Sequence, residues 1–134
     1  MSRALRATQV DKRERLARLG IDSAAVTFVA LDLTTGNAAT ALEDAGHDAA
    51  RSSLFIGEGL LLYLDVPVIE HLFGALRNRA TRAATLALTL ARDEWETLLR
   101  TTGWTIARAV EPHSIEPEVP AGGALLVTAN PVLL

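Results

Sequence analysis

The 134-residue sequence predicts a single α/β domain, residues 1–134, built on a mostly parallel sheet with an antiparallel pair of strands at its C-terminal edge. Three observations predict it. Short apolar or β-branched runs, "AVTFVALDL", "SLFI" and "AATLALTLA", alternate with segments patterned as helices, and that alternation implies right-handed crossovers and parallel strands. The last two strand patterns, "WTIARAV" and "ALLVTAN", are joined by a proline- and glycine-rich loop without a helix, so they pair antiparallel. A composition of 49% hydrophobic and 22% charged residues suits one core of this length rather than two.

The elements follow in order. "ATQVDKRERLARLG" is rich in helix formers and closes on Gly20, predicting a helix over 8–19 with a thin apolar face of Val10, Leu16 and Leu19. "AVTFVALDL" predicts a buried strand over 25–31 that ends at Asp32 and leads into the turn "TTGN". Asn37 is placed to cap a short helix through "AATALEDA", stopped by Gly46. After the strand "SLFI", Asp65 as N-cap and Pro67 in the first turn open a helix over 65–82. Val68, Ile69, Leu72, Phe73 and Leu76 recur on one face of it, which should be buried, with Arg77 and Arg79 outside. "AATLALTLA" reads as a third strand, although alanine and leucine also allow a helix there. Asp93 and Glu96 form a capping-box pattern for a helix through Trp95, Leu98 and Leu99 that stops at Gly103. In "WTIARAV", Trp104, Ile106, Arg108 and Val110 alternate with Thr105, Ala107 and Ala109, and "EPHSIEPEVPAGG" must be a loop.

Composition narrows the partners. A net charge of -3 and a pI near 5.6 give no electrostatic basis for a nucleic-acid partner or an anionic membrane surface. The absence of cysteine rules out disulfides and thiolate metal sites and suits a reducing cytoplasm. His47, His71 and His113 are scattered and make a poor metal set. The N-terminus lacks the apolar segment of a secretory signal, and the run from Leu54 to Leu64 is far short of the roughly 20 residues of a spanning helix. These features describe a soluble cytoplasmic protein whose partners are small molecules or other proteins.

In open α/β sheets, ligands bind at the carboxyl ends of the strands. Two acidic residues fall there, Asp32 and Glu58. Glu58 stands between Gly57 and Gly59 in an otherwise apolar run, where an unsatisfied carboxylate is costly. Either Arg77, Arg79, Arg100 or water satisfies it, or the glycines clear an approach to the backbone and Glu58 binds a ligand cation. Asp32 either closes an Asx turn or accepts a hydrogen bond from an exocyclic amine. "GEGLLL" is not a dinucleotide fingerprint, because the third glycine would fall on Leu62.

The blocks "KRERLARLGI", "VTFVALDL", "FIGEGLLLYL", the helix after it and "WETLLRTTGWTI" resemble, in order, those of the S-adenosylmethionine-dependent methyltransferases related to leucine carboxyl methyltransferase. That group includes many actinobacterial O-methyltransferases of small-metabolite carboxyl or hydroxyl groups. The resemblance covers most of residues 7–130 and implies a Rossmann-like methyltransferase sheet, S-adenosylmethionine as cofactor and a small-molecule methyl acceptor. It implies that Asp32 and Leu33 receive the adenine. It also puts the family's E-x-x-L-x-Y block on Glu58, Leu61 and Tyr63, with the glutamate, beside Gly59, near the methionine amino group.

The family's glycine-rich strand–helix–strand unit has no counterpart ahead of "ATQVDKRERL", and most of its lid segment is missing where "LALTLARDEWETLL" runs straight on. The chain is therefore expected to resemble the C-terminal part of such an enzyme, to bind S-adenosylmethionine weakly or not at all when isolated, and to turn over no substrate. Its 25–31 strand is expected to pair with "SLFI" or with a second chain, as a homo-oligomer or with a complementing chain. The non-enzymatic alternative is a non-catalytic α/β remnant or a partner-binding module.

Overall fold

The structure is a computed structural model that describes residues 3–22, 24, 26–81, 83–90, 95–118 and 125–132. The chain divides into two compact units, Met1–His47 and Asp48–Leu134.

The first unit opens with helix α1 (Arg3–Arg18), which starts several residues before the expected boundary because "RALRA" is itself made of strong helix formers. Gly20, at φ +70°, ends it. The Gly20 and Ile21 amides turn back to the carbonyls of Ala17 and Leu16 at 3.1 and 3.0 Å, the bond pair of a Schellman stop. Its expected apolar face is not buried: Val10 and Leu19 are exposed and only Leu16 is half-buried.

The expected strand over 25–31 is not one. Ala25 lies outside the described residues, and 26–31 join no sheet, with "SLFI" or otherwise. β propensity becomes a strand only where a neighbour completes the ladder, and all four strands of the sheet come from the second unit. Here Phe28 instead packs under the Arg13 guanidinium of α1, 4.9 Å from its ring centre. Helix α2 (Ala38–Asp44) forms as its sequence predicts, with Asn37 Oδ1 accepting the Thr40 amide at 3.2 Å and Gly46 at φ +97° closing it.

The second unit carries β1 (Leu54–Gly57), helix α3 (Val66–Asn78), β2 (Thr85–Leu90), helix α4 (Trp95–Thr101), β3 (Trp104–Val110), the short helix α5 (Pro112–Ile115) and β4 (Leu125–Pro131). The sheet order is β1-β2-β4-β3. β1 and β2 are parallel, while β4 is antiparallel to both β2 and β3. The sheet therefore has one parallel ladder and two antiparallel ones, which corrects the expectation of a mostly parallel sheet. The antiparallel pairing of the last two strands does hold. What the sequence concealed is that β4, returning without a crossover helix, enters on the inner side of β3 and so also pairs with β2. β1, β2 and β3 all run one way and β4 alone is reversed.

The core lies on one face of this sheet. Ile69 and Phe73 of α3 and Leu99 of α4 meet Leu86, Leu88 and Leu90 of β2, Trp104 of β3, and Val127 and Ala129 of β4. The strict burial alternation of β2 settles its strand reading. On α3, Ile69, Leu72, Phe73 and Ala75 are buried and Val68 and Leu76 half-buried, so the expected phase is observed. Asp65 occupies the N-cap position but its side chain makes no cap bond.

Arg77 departs from its expected outward place. Its Nε donates to the Gly103 carbonyl at 3.1 Å and its Nη2 to the Val132 carbonyl at 2.9 Å, tying α3 to the start of β3 and the end of β4. Asp93 of the expected capping box and residues 119–124 of the loop lie outside the described residues. Among the described residues, no helix is long and apolar enough to cross a membrane.

β3 breaks its own alternation. Ile106 opposes Ala129, but Arg108 opposes Thr128, with a bulge between them. Directly opposed residues share a face, so Arg108 leaves the Trp104 and Ile106 face and joins that of Thr128. Without the bulge, a guanidinium would point into the core, where burial without a partner is costly.

Candidate cofactor site

β1 ends at Gly57, and Glu58 is the first residue beyond it. The two flanking glycines have different causes. A Cβ at Gly57 would lie 2.9 Å from Leu88 Cδ2, so the space that its side chain would need is filled by the core. It is not a cleared approach for a ligand. Gly59 has φ +62° and open space around it, and it turns the chain out of β1 toward the 3₁₀ turn Leu61–Tyr63.

The Glu58 carboxylate is exposed and makes no ion pair or hydrogen bond among the described residues. Arg77 is spent on the Gly103 and Val132 carbonyls, and Arg100 Nη2 on Glu96 Oε1 at 3.1 Å. Glu58 lines a cavity of about 380 Å³ on the face of the sheet opposite the core. Ile56, Ala87, Thr89 and Thr128 form part of its walls, and Arg108 joins Glu58 as the second charged residue lining it. The cavity lies toward the carboxyl ends of β1, β2 and β3. Arg108 escaped sequence reasoning because its place depends on the bulge; the available signal was a charge standing in the apolar phase of "WTIARAV".

Asp32 and Leu33 belong to the first unit, in the turn after residue 31. Asp32 Oδ1 accepts the Thr34 amide at 2.9 Å and also the Thr34 hydroxyl, an Asx turn. The Thr34 hydroxyl first, and then its amide, hold the Asp32 carboxyl below the ordinary value of 3.8. The Asp32 carbonyl takes the Gly36 amide at 2.7 Å. A side chain at Gly36 would strike Leu31 Cδ1 and the Asp32 carbonyl, so this tight turn requires glycine. Leu33 is half-buried within it. Asp32 thus holds the turn through one oxygen, and among the described residues no donor meets Oδ2.

The family described as leucine carboxyl methyltransferase matches residues 5–77. The chain belongs to this family. The matched segment includes Asp32, Leu33, Glu58 and Gly59 together. Among its relatives, proteins of Mycobacterium tuberculosis and Mycobacterium bovis provisionally named S-adenosyl-L-methionine-dependent methyltransferases are 35% identical over 107 residues, 76% of this chain and 35% of theirs. A similarly named Streptomyces coelicolor protein is 41% identical over 51 residues, 38% of this chain and 18% of its own. The chain therefore spans about a third of the length of the mycobacterial members it matches.

Proposed function

We propose that this family member contributes part of the S-adenosylmethionine site of an O-methyltransferase acting on a carboxyl or hydroxyl group of a small molecule. The sheet would then be part of a Rossmann-like methyltransferase sheet. The observation that carries the reading is the Glu58 carboxylate, free of any cation among the described residues and lining a cavity beyond the end of β1 within the family-matched segment.

That carboxylate suits the ammonium of the methionine tail, and Gly59 gives the turn that keeps it at the strand end. Asp32 Oδ2 offers an acceptor for the exocyclic amine of adenine, and Leu33 an apolar contact for its ring. Held by these residues, S-adenosylmethionine would supply an electrophilic methyl group on its sulfonium for an acceptor oxygen. Each of these groups would hold and orient within its own unit, and neither needs to move a proton. A carboxylate acceptor requires no general base, so positioning and exclusion of water carry the rate.

The test is a titration of the 134-residue chain with S-adenosylmethionine, followed by backbone amide shifts, which report weak binding. Shifts are expected around residues 31–34 and 57–60, with weaker binding in Glu58→Gln. Unchanged binding in that variant, or shifts at other residues that leave both segments unmoved, would refute the assignment.

A further inference from the structure

The cavity has a feature that the methyl-donor reading leaves unused. Arg108 lines it together with Glu58, and among the described residues the guanidinium makes no hydrogen bond or ion pair. Its place is built into the backbone: the bulge between Ile106 and Arg108 carries it to the face of Thr128, away from the core. Around it the surface is apolar and uncovered, with Ile56 at 70% exposure, Ile115 at 63% and Leu126 at 39%. Thr89 and Thr128 also line the cavity. A bulge costs ladder hydrogen bonds, and bulges are common where a side chain must be re-aimed beside a site.

We propose that this cavity binds a small amphipathic monoanion, its apolar body against Ile56, Val110, Ile115 and Leu126 and its anionic end on Arg108. The occupant follows from charge and shape. A cavity of about 380 Å³ holds a medium-chain or aromatic carboxylate but not a folded partner. The guanidinium, unpaired among the described residues, selects the anion, since Arg binds carboxylate through a pair of parallel N–H donors. Glu58 at the other charged wall selects against a dianion. The inference goes beyond the methyl-donor assignment and holds whether or not the donor binds, because none of its contacts uses the first unit.

The experiment compares octanoate with its neutral isostere octanamide on the full chain by calorimetry, in the parent and in Arg108→Gln. In the parent, octanoate should bind saturably and octanamide about 10-fold more weakly. Arg108→Gln should erase that difference while leaving octanamide unchanged. Arg108 is exposed, so its replacement does not threaten folding. Equal binding of the two probes by the parent, no saturable octanoate binding, or a preference that survives Arg108→Gln would each overturn the proposal. Failure of S-adenosylmethionine to bind would leave these outcomes readable, since the probes contain no part of it.

Discussion

The indole Nε1 of Trp104 donates to the main-chain carbonyl of Phe73 at 3.0 Å, and both residues are fully buried. The bond fixes the first residue of β3 to the middle of α3. The indole also meets Phe55 of β1 edge-on, with ring centres 6.5 Å apart. Trp104→Phe keeps an aromatic ring but removes the donor and part of the volume. It should cost about 1 to 3 kcal/mol in urea melts. A loss under about 0.5 kcal/mol would show that the hydrogen bond is not a net contributor.

The packing partner gives a second, larger effect. Phe73 is at 0% exposure among Ile69, Leu86 and Leu99 of the core, so truncation leaves a cavity that the sheet cannot close. Phe73→Ala should lose about 3 to 5 kcal/mol. Val10→Ala, on the exposed face of α1, should stay within about 0.5 kcal/mol of the parent. Similar losses for the two would contradict the burial on which the helix phase rests.

Arg77 and Gly103 should be energetically coupled. Gly103 sits at φ +97°, and a Cβ there would come within 3.0 Å of Arg77 Cγ. Gly103→Ala should therefore cost about 1 to 2 kcal/mol for the left-handed backbone, plus the crowding. Arg77→Ala removes the crowding together with two hydrogen bonds. The Gly103 carbonyl keeps the Val132 amide at 2.8 Å, so the loss falls mainly on the Val132 carbonyl. The double variant should be less destabilised than the sum of the singles by at least about 0.5 kcal/mol. Additive losses would mean that the Arg77 stem can move aside.

Local patterns were the readable part of this fold. Asn37 as a cap, Gly20 and Gly46 as stops, and the α3 face of Ile69, Leu72 and Phe73 each depend on neighbours in sequence, and each is seen in the structure. What failed depended on distant partners. Residues 26–31 carry strand residues but no ladder, β4 gained a second neighbour, and Arg77 found two carbonyls far along the chain. At the candidate site, the position of Glu58 beyond β1 was legible because one carboxylate interrupts an apolar run. The core role of Gly57 was not, because Leu88 reaches it only through the β1–β2 pairing. Arg108 was hidden by a one-residue bulge, which reverses a period-of-two pattern without leaving a mark in composition.

The Asp32 turn predicts a pH response with a definite sign. Its carboxyl is held below the ordinary 3.8, first by the Thr34 hydroxyl and then by the Thr34 amide, with a small opposing effect of desolvation. A group depressed in the folded state favours that state while it is ionised. The stabilisation of the turn is therefore fully present above the ordinary carboxyl value and is lost as pH falls through the lowered one. A carboxyl ¹³C titration should give Asp32 a midpoint below 3.8, and the Thr34 amide shift should move with the same midpoint. Thr34→Val deletes the hydroxyl but keeps the amide, so it should bring the midpoint back toward 3.8 without restoring it fully. A parent midpoint at or above 3.8, or one that Thr34→Val leaves unmoved, would mean that Thr34 does not hold the carboxylate and that the Asx turn does not persist in solution.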